Sequence, residues 1–240
     1  MRPIGFSTGA LGYGDFEKGL RFLKETNATA IELSALRQDE LEPLIQSLDR
    51  LELRQFGHIS VHLPSSITSG FEQQMLAMLQ AFPSDWLLIT HPNIISMWSQ
   101  WNALGPRLCI ENMDKRKPIG RTAEDLFGIF RKLPLATFCL DLGHAHQIDP
   151  TMGEAVLIIE QFSARLRQLH VSTVNSESKH DTLSLESSSA FSVIAHLIPE
   201  NIPMILESRL PSLSIAAIQS EMDFARRILD GVETFQLAGD

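Results

Sequence analysis

The sequence is poor in cysteine, in positive charge and in long apolar runs. Its 240 residues hold two cysteines, Cys109 and Cys139, too few to staple a chain of this length with disulfides. Both sit inside apolar runs, Arg107-Leu-Cys-Ile110 and Thr137-Phe-Cys-Leu140, where reduced thiols serve as small core residues. No stretch approaches the roughly 18 apolar residues of a membrane span. The first residues, Met1-Arg2-Pro3-Ile4-Gly5, show no apolar segment of the kind that opens a secretory signal. A soluble, cytoplasmic protein is expected. Lysine and arginine number 20 against 29 acidic residues, a balance of −9. A general positive field is therefore lacking, which argues against nucleic acid as a partner. A glycine-rich phosphate loop is lacking too. The first candidate strand is followed by Ser7-Thr-Gly-Ala-Leu-Gly-Tyr-Gly14, which is neither G-x-G-x-x-G nor a P-loop.

What is present is a globular composition, 44% hydrophobic, with a strict alternation of elements. Short β-rich runs cover Ile4–Ser7, Ala30–Leu33, His58–His62, Trp86–His91, Leu108–Glu111, Thr137–Asp141, Leu166–Val171 and Ile202–Glu207. Segments of helical period separate them: Phe16–Glu25, Asp39–Arg50, Phe71–Ala81, Ser96–Leu104, Thr122–Arg131, Met152–Ala164, Ser187–Leu197 and Ser214–Leu229. Thr122 and Ser214 are N-cap candidates. Asn175–Glu186 reads as a polar loop. Strict βα alternation means parallel strands with crossover helices. Eight such units use nearly all the length, which predicts an α/β fold with one (β/α)8 TIM barrel domain spanning residues 1–240. A doubly wound open sheet is the alternative, and the missing glycine fingerprint weighs against it.

In such a barrel, functional groups collect where strands end. Six of the eight histidines fall there: His62, His91, His144, His146, His170 and His180. Glu32, Glu111, Asp141 and Glu207 each follow apolar strand residues. Strand parity links partners: Cys109 faces the same side as Glu111, Cys139 as Asp141, Gln168 as His170, and Ser60 and His58 as His62. Inward charges need compensation, and a ring of them finds it in a central divalent cation. Imidazole with carboxylate suits Zn²⁺, Mn²⁺, Co²⁺ or Fe²⁺, and mostly oxygen ligands suit Mg²⁺ or Mn²⁺. His146 reads as a loop residue, and Trp98 and Trp101, three apart, read as helix packing.

Glu111 in Cys-Ile-Glu-Asn, Asp141 and His144 in Asp-Leu-Gly-His, His170 in Leu-His-Val-Ser and Glu207 in Ile-Leu-Glu-Ser together resemble the xylose isomerase-like barrel superfamily. That superfamily contains sugar and sugar-phosphate isomerases and epimerases, inosose dehydratases and class II apurinic-site endonucleases. The resemblance covers the whole chain, with Asp-x-Gly-His its most specific part. It implies that Glu111, Asp141, His170 and Glu207 bind one divalent metal, and that His144 touches substrate or a second metal. In the ketose epimerases of that group, the glutamates matching Glu111 and Glu207 move the proton. The resemblance thus implies catalytic roles for Glu111, Glu207 and His144 on a small sugar, sugar phosphate or polyol.

The endonuclease branch implies additional zinc ions at His62 and His91. Its Asp-x-His pair after strand seven is here Lys179-His180-Asp181, with the residue types adjacent and in the other order. His180, Asp181 and Glu32 complete the set for a further metal or the substrate. Phosphate contacts would come from Arg121, Lys179, Arg209 or the Lys115-Arg-Lys117 cluster. A barrel that binds without turnover is a third class, and the intact carboxylate and histidine set argues against it. The outer helix faces leave room for a homodimer.

Overall fold

In the computed structural model, which describes residues 2–231, eight parallel strands close into a barrel. They are β1 (Ile4–Ser7), β2 (Ala30–Ser34), β3 (His58–His62), β4 (Leu87–Thr90), β5 (Leu108–Glu111), β6 (Thr137–Asp141), β7 (Leu166–Val171) and, after a short antiparallel ribbon of β8 (Thr173–Val174) and β9 (His180–Asp181), β10 (Met204–Leu206). Neighbours follow chain order, and β1 pairs with both β2 and β10 to close the ring. The single-domain expectation also covers Met1 and 232–240, which lie outside the described residues.

Alternation along each strand sorts the chemistry. Parallel barrel strands usually read as unbroken apolar runs because both faces are buried. Here the outward residues, among them Phe6, Ile31, Leu33, Val61, Ile110, Phe138, Leu140 and Leu169, belong to the large core between sheet and helices. The inward positions are largely small or polar: Ser7, Glu32, Ser34, Ser60, His62, Glu111, Asp141, Gln168 and His170, all buried. Ile89, Cys109 and Cys139, with Leu87, form a separate apolar cluster on the inward side. The main core thus lies outside the barrel, where each buried Leu or Phe contributes about 1.5–3 kcal/mol. The interior is left for a polar site.

The outer helices are α2 (Phe16–Lys24), α3 (Leu41–Ser47), α4 (Phe71–Met78), α5 (Trp98–Asn102), α6 (Ala123–Lys132), α8 (Gly153–Phe162), α9 (Leu185–Ile194) and α10 (Ile215–Leu229). Thr122 and Ser214 cap α6 and α10 through their hydroxyls, as their positions predicted. Two short helices break the strict alternation: α1 (Thr8–Gly12) and α7 (Leu142–Ile148) spring directly from strand ends. His146 consequently lies in α7 rather than a loop, edge-on to Phe191. The expected loop Asn175–Glu186 contains β9, and α9 begins at Leu185 because the Ser184 hydroxyl accepts the Ser187 N–H. Trp101 is fully buried, and its indole N–H donates to Glu72 at 2.7 Å. Glu72 also accepts the backbone N–H groups of Ser96 and Met97, anchoring the β4–α5 connection. Among the described residues, no helix is long and apolar enough to cross a membrane.

Candidate metal centre

Four side chains converge at the C-terminal end of the barrel. Glu111 ends β5, Asp141 ends β6, His170 lies next to last in β7, and Glu207 follows β10. Their ligand atoms all lie within 4.8 Å of one another. His170 Nδ1 stands 3.3 Å from Glu111 Oε1 and 3.6 Å from Glu207 Oε2. Asp141 and His170 are fully buried, whereas Glu111 and Glu207 line a cavity of about 420 Å³.

Local structure explains the Asp-x-Gly-His spacing. Asp141 is the N-cap of α7, and its Oδ1 accepts the His144 backbone N–H at 2.7 Å. Gly143 packs so tightly that a Cβ there would meet the Ser172 carbonyl at 2.6 Å. His144 then sits in the first turn, facing inward, with Nδ1–H donated to the Asn112 carbonyl at 2.9 Å. Asn112 also pairs with the Asp141 backbone, accepting its N–H at 2.7 Å and donating to its C=O at 2.9 Å. This amide pair locks the β5 and β6 ends together. Asn112 is not legible as a site residue in the sequence, since an Asn after a strand-end Glu carries no periodic signal.

Glu111 is the hub. His62 and His91 place their Nε2 atoms 3.1 and 3.2 Å from its Oε2, and His144 Nδ1 lies 3.3 Å from its Oε1. His62 donates Nδ1–H to the Leu63 carbonyl at 2.8 Å, so its Nε2 faces the carboxylate. A neutral ring would point a lone pair at a carboxylate oxygen. Burial opposes charge on His62, but the bond to Glu111 and the Glu32, Glu111 and Glu207 carboxylates raise its pKa to about 9. The site thus holds a proton where positive charge is needed. His91, dominated by burial, falls to about 4. His144, His180 and Asp141 make a further grouping, with His180 Nδ1 3.5 Å from Glu207 Oε2.

The carboxylates show the same shortage of positive charge. Burial first, with Glu111 and Asp141 adding to it and His170 opposing, pushes Glu207 up to about 8. Burial pushes Asp141 up to about 6 against the pull of His144. Asp141 Oδ2 is buried and has no hydrogen-bond partner among the described residues. An orphaned carboxylate oxygen beside Glu111, Glu207 and an imidazole nitrogen fits a divalent cation. The two thiols do not contribute: burial pushes the Cys109 thiol up to about 12 and Cys139 up as well, so neither is a thiolate.

Other predicted positions separate. Glu32 is fully buried behind His170, with Oε2 2.9 Å from the ring Nε2, and does not line the cavity. Asp181 is exposed on β9 and accepts from Asn175 Nδ2 at 2.8 Å, away from the cluster. Of the cationic candidates, Lys117 and Arg209 line the cavity along with Arg116. Arg116 is tied to the buried Asp114, which it contacts at 3.0 and 2.8 Å. Lys115, Arg121 and Lys179 do not line it.

The barrel superposes on solved structures over nearly its full length. It covers 96% of this chain and 98% of the IOLI protein solved with a zinc atom, at 15% identity and a TM-score of 0.63. It covers 95% of this chain and 97% of a xylose isomerase-like TIM barrel protein from Mycobacterium smegmatis in complex with magnesium, at 13% identity and a TM-score of 0.59. The chain has the fold of the xylose isomerase-like barrels. A candidate sugar phosphate isomerase/epimerase from Anabaena variabilis ATCC 29413 shares this fold, with 14% identity, a TM-score of 0.58 and coverage of 96% and 99%. No protein-family model and no curated protein matches the sequence.

Proposed function

We propose that this xylose isomerase-like barrel is a divalent-metal-dependent isomerase or epimerase of a small sugar or sugar phosphate. One observation carries the reading: Glu111 and Glu207 face a single cavity from strands three apart in the ring, and both belong to the four-residue cluster with Asp141 and His170. Those four residues would hold the metal, which when bound polarises a substrate carbonyl oxygen. The chain supplies the rest. One glutamate takes the proton from the carbon next to the carbonyl, and the other returns it from its own side of the cavity. His144 and His180 line the same cavity and orient a hydroxyl. Asp141 and His170, with no exposure, hold the centre from below and exclude water. Lys117 and Arg209 have no carboxylate within salt-bridge distance among the described residues, which favours a phosphorylated substrate over a neutral one.

Incubation with a panel of ketoses and ketose phosphates in D₂O tests the reading. Deuterium should enter at the carbon beside the carbonyl of one substrate, and Glu111→Gln or Glu207→Gln should abolish it. If no member of the panel exchanges, the reading fails.

A second reading is phosphodiester hydrolysis at a multinuclear zinc centre. The grouping of His62, Glu111 and His170, whose ligand atoms lie within 4.8 Å of one another, favours it, because these three could hold another ion. The small cavity and the net charge of −9 favour the sugar reading. Cleavage of abasic DNA, with no exchange in the sugar panel, would reverse the choice.

A further inference from the structure

Beneath the cluster lies a buried polar chain that the proposed reaction does not use. Glu32 Oε2 lies 2.9 Å from His170 Nε2, 2.8 Å from Gln168 Nε2 and 3.3 Å from Ser60 Oγ. All four residues are fully buried. The other oxygen, Oε1, has no partner among the described residues. At the far end His58 Nε2 lies 2.8 Å from Gln168 Oε1, and its ring N–H donates there. That bond fixes the amide, so the Gln168 NH₂ group faces Glu32 and His170. Gln168 Nε2 and His170 Nε2 stand only 2.9 Å apart.

For the neutral ring that can bind a cation, two arrangements of protons are compatible with that triangle. In one, both nitrogens donate to the shared Glu32 oxygen, and His170 keeps its proton on Nε2. In the other, Gln168 donates to His170 Nε2, and the ring proton moves to Nδ1. The second arrangement points an N–H at Glu111 and Glu207 and leaves no lone pair for a cation. An Nε2–H meets Glu32 at 2.9 Å, whereas an Nδ1–H would meet Glu111 and Glu207 only at 3.3 and 3.6 Å and would repel a cation, so Glu32 selects the first.

We infer that Glu32 is the positioning residue that keeps the His170 proton on Nε2 and so turns the Nδ1 lone pair toward the metal cluster, with Gln168 and His58 fixing the amide that would otherwise compete. The inference rests on the reading of His170 as a metal ligand. It gives the buried carboxylate a task that neither packing nor substrate contact explains, since an acid on an inward strand position is costly without one.

Zinc binding by the full chain tests it, using competition with a chromophoric chelator. Glu32→Leu, which removes the acceptor, should weaken zinc binding about 10- to 100-fold. Glu32→Gln keeps a neutral acceptor in the same place and should restore most of the loss. In the zinc-loaded wild type, long-range ¹H–¹⁵N spectra should show the His170 proton on Nε2 and the metal-shifted nitrogen at Nδ1. Wild-type zinc affinity in both variants, or zinc on Nε2, overturns the inference. If Glu32→Leu does not fold, Glu32→Gln decides: its weaker, uncharged acceptor should leave zinc binding a few-fold looser than wild type, and an affinity equal to wild type overturns the inference. A wild type that binds no zinc at all contradicts the metal centre itself, and this inference with it. Zinc bound on Nδ1 with both variants unaffected contradicts only the role of Glu32.

Discussion

Asp141 divides its two oxygens between two tasks on one neighbour. Oδ1 accepts the His144 backbone N–H at 2.7 Å and caps α7, while Oδ2 remains unbonded, 3.4 Å from His144 Nδ1. The cap places His144, and the free oxygen is left for a cation. The two tasks can be separated by substitution. Asp141→Asn still caps the helix and should keep the melting temperature of metal-free protein nearly unchanged. It should lose metal affinity by about tenfold or more, since the charged donor is gone. Asp141→Ala should lose both, with about 1 kcal/mol of stability for the cap. Equal metal affinity in Asp141→Asn and wild type, measured by equilibrium dialysis, would contradict the division.

The cavity cations give a prediction on substrate choice. Lys117→Ala and Arg209→Ala should each raise KM for a phosphorylated substrate roughly 10- to 100-fold, the loss of a charge-assisted bond of about 1.5–3 kcal/mol. Arg116→Ala should do less, because Asp114 already engages that guanidinium. Steady-state kinetics on matched phosphorylated and unphosphorylated sugars checks this. A similar KM change for both members of a pair would show that the cations do not read phosphate.

The pH dependence of stability follows from the same charge imbalance. In metal-free protein, Glu207 at about 8, Asp141 at about 6 and His62 at about 9 all stand above their ordinary values. The folded state therefore binds more protons than the unfolded state, and stability falls as pH rises through these values. His91 at about 4 and His180 at about 3 act the other way, but their effect is complete by about pH 6.5. The melting temperature of metal-stripped protein should decline between about pH 6.5 and 9. Metal replaces those protons, so loaded protein should melt higher and show a flatter profile. Parallel profiles for stripped and loaded protein would contradict a cation at this cluster.

The barrel was legible because polar residues punctuate apolar strands at a regular interval. Parity even foretold that Cys109, Cys139 and Gln168 share the inward side with Glu111, Asp141 and His170. What stayed hidden was partnership across the barrel. Glu32 looked like one more strand-end acid, and only the closed ring brings it under His170, five strands away along the chain and three across it. The short helices α1 and α7 were invisible for another reason: five or seven residues cannot show a helical period. Strand β4 stops at Thr90, one residue short of His91, because Pro92 opens a turn and has no N–H for the ladder. Asn112 and Asp114 escaped notice because their roles are bonds to backbone and to a neighbouring arginine.

The chemistry proposed for this barrel depends on Glu111, Asp141, His170 and Glu207 holding a divalent ion. Elemental analysis of protein purified without chelator, set beside Glu111→Gln, tests it most directly when the ion is located by anomalous scattering. About one or more ions per wild-type chain are expected, one of them among these four residues, with strong depletion in the variant. Wild-type protein no richer in metal than Glu111→Gln, or an ion bound elsewhere with these four left apart, would contradict it.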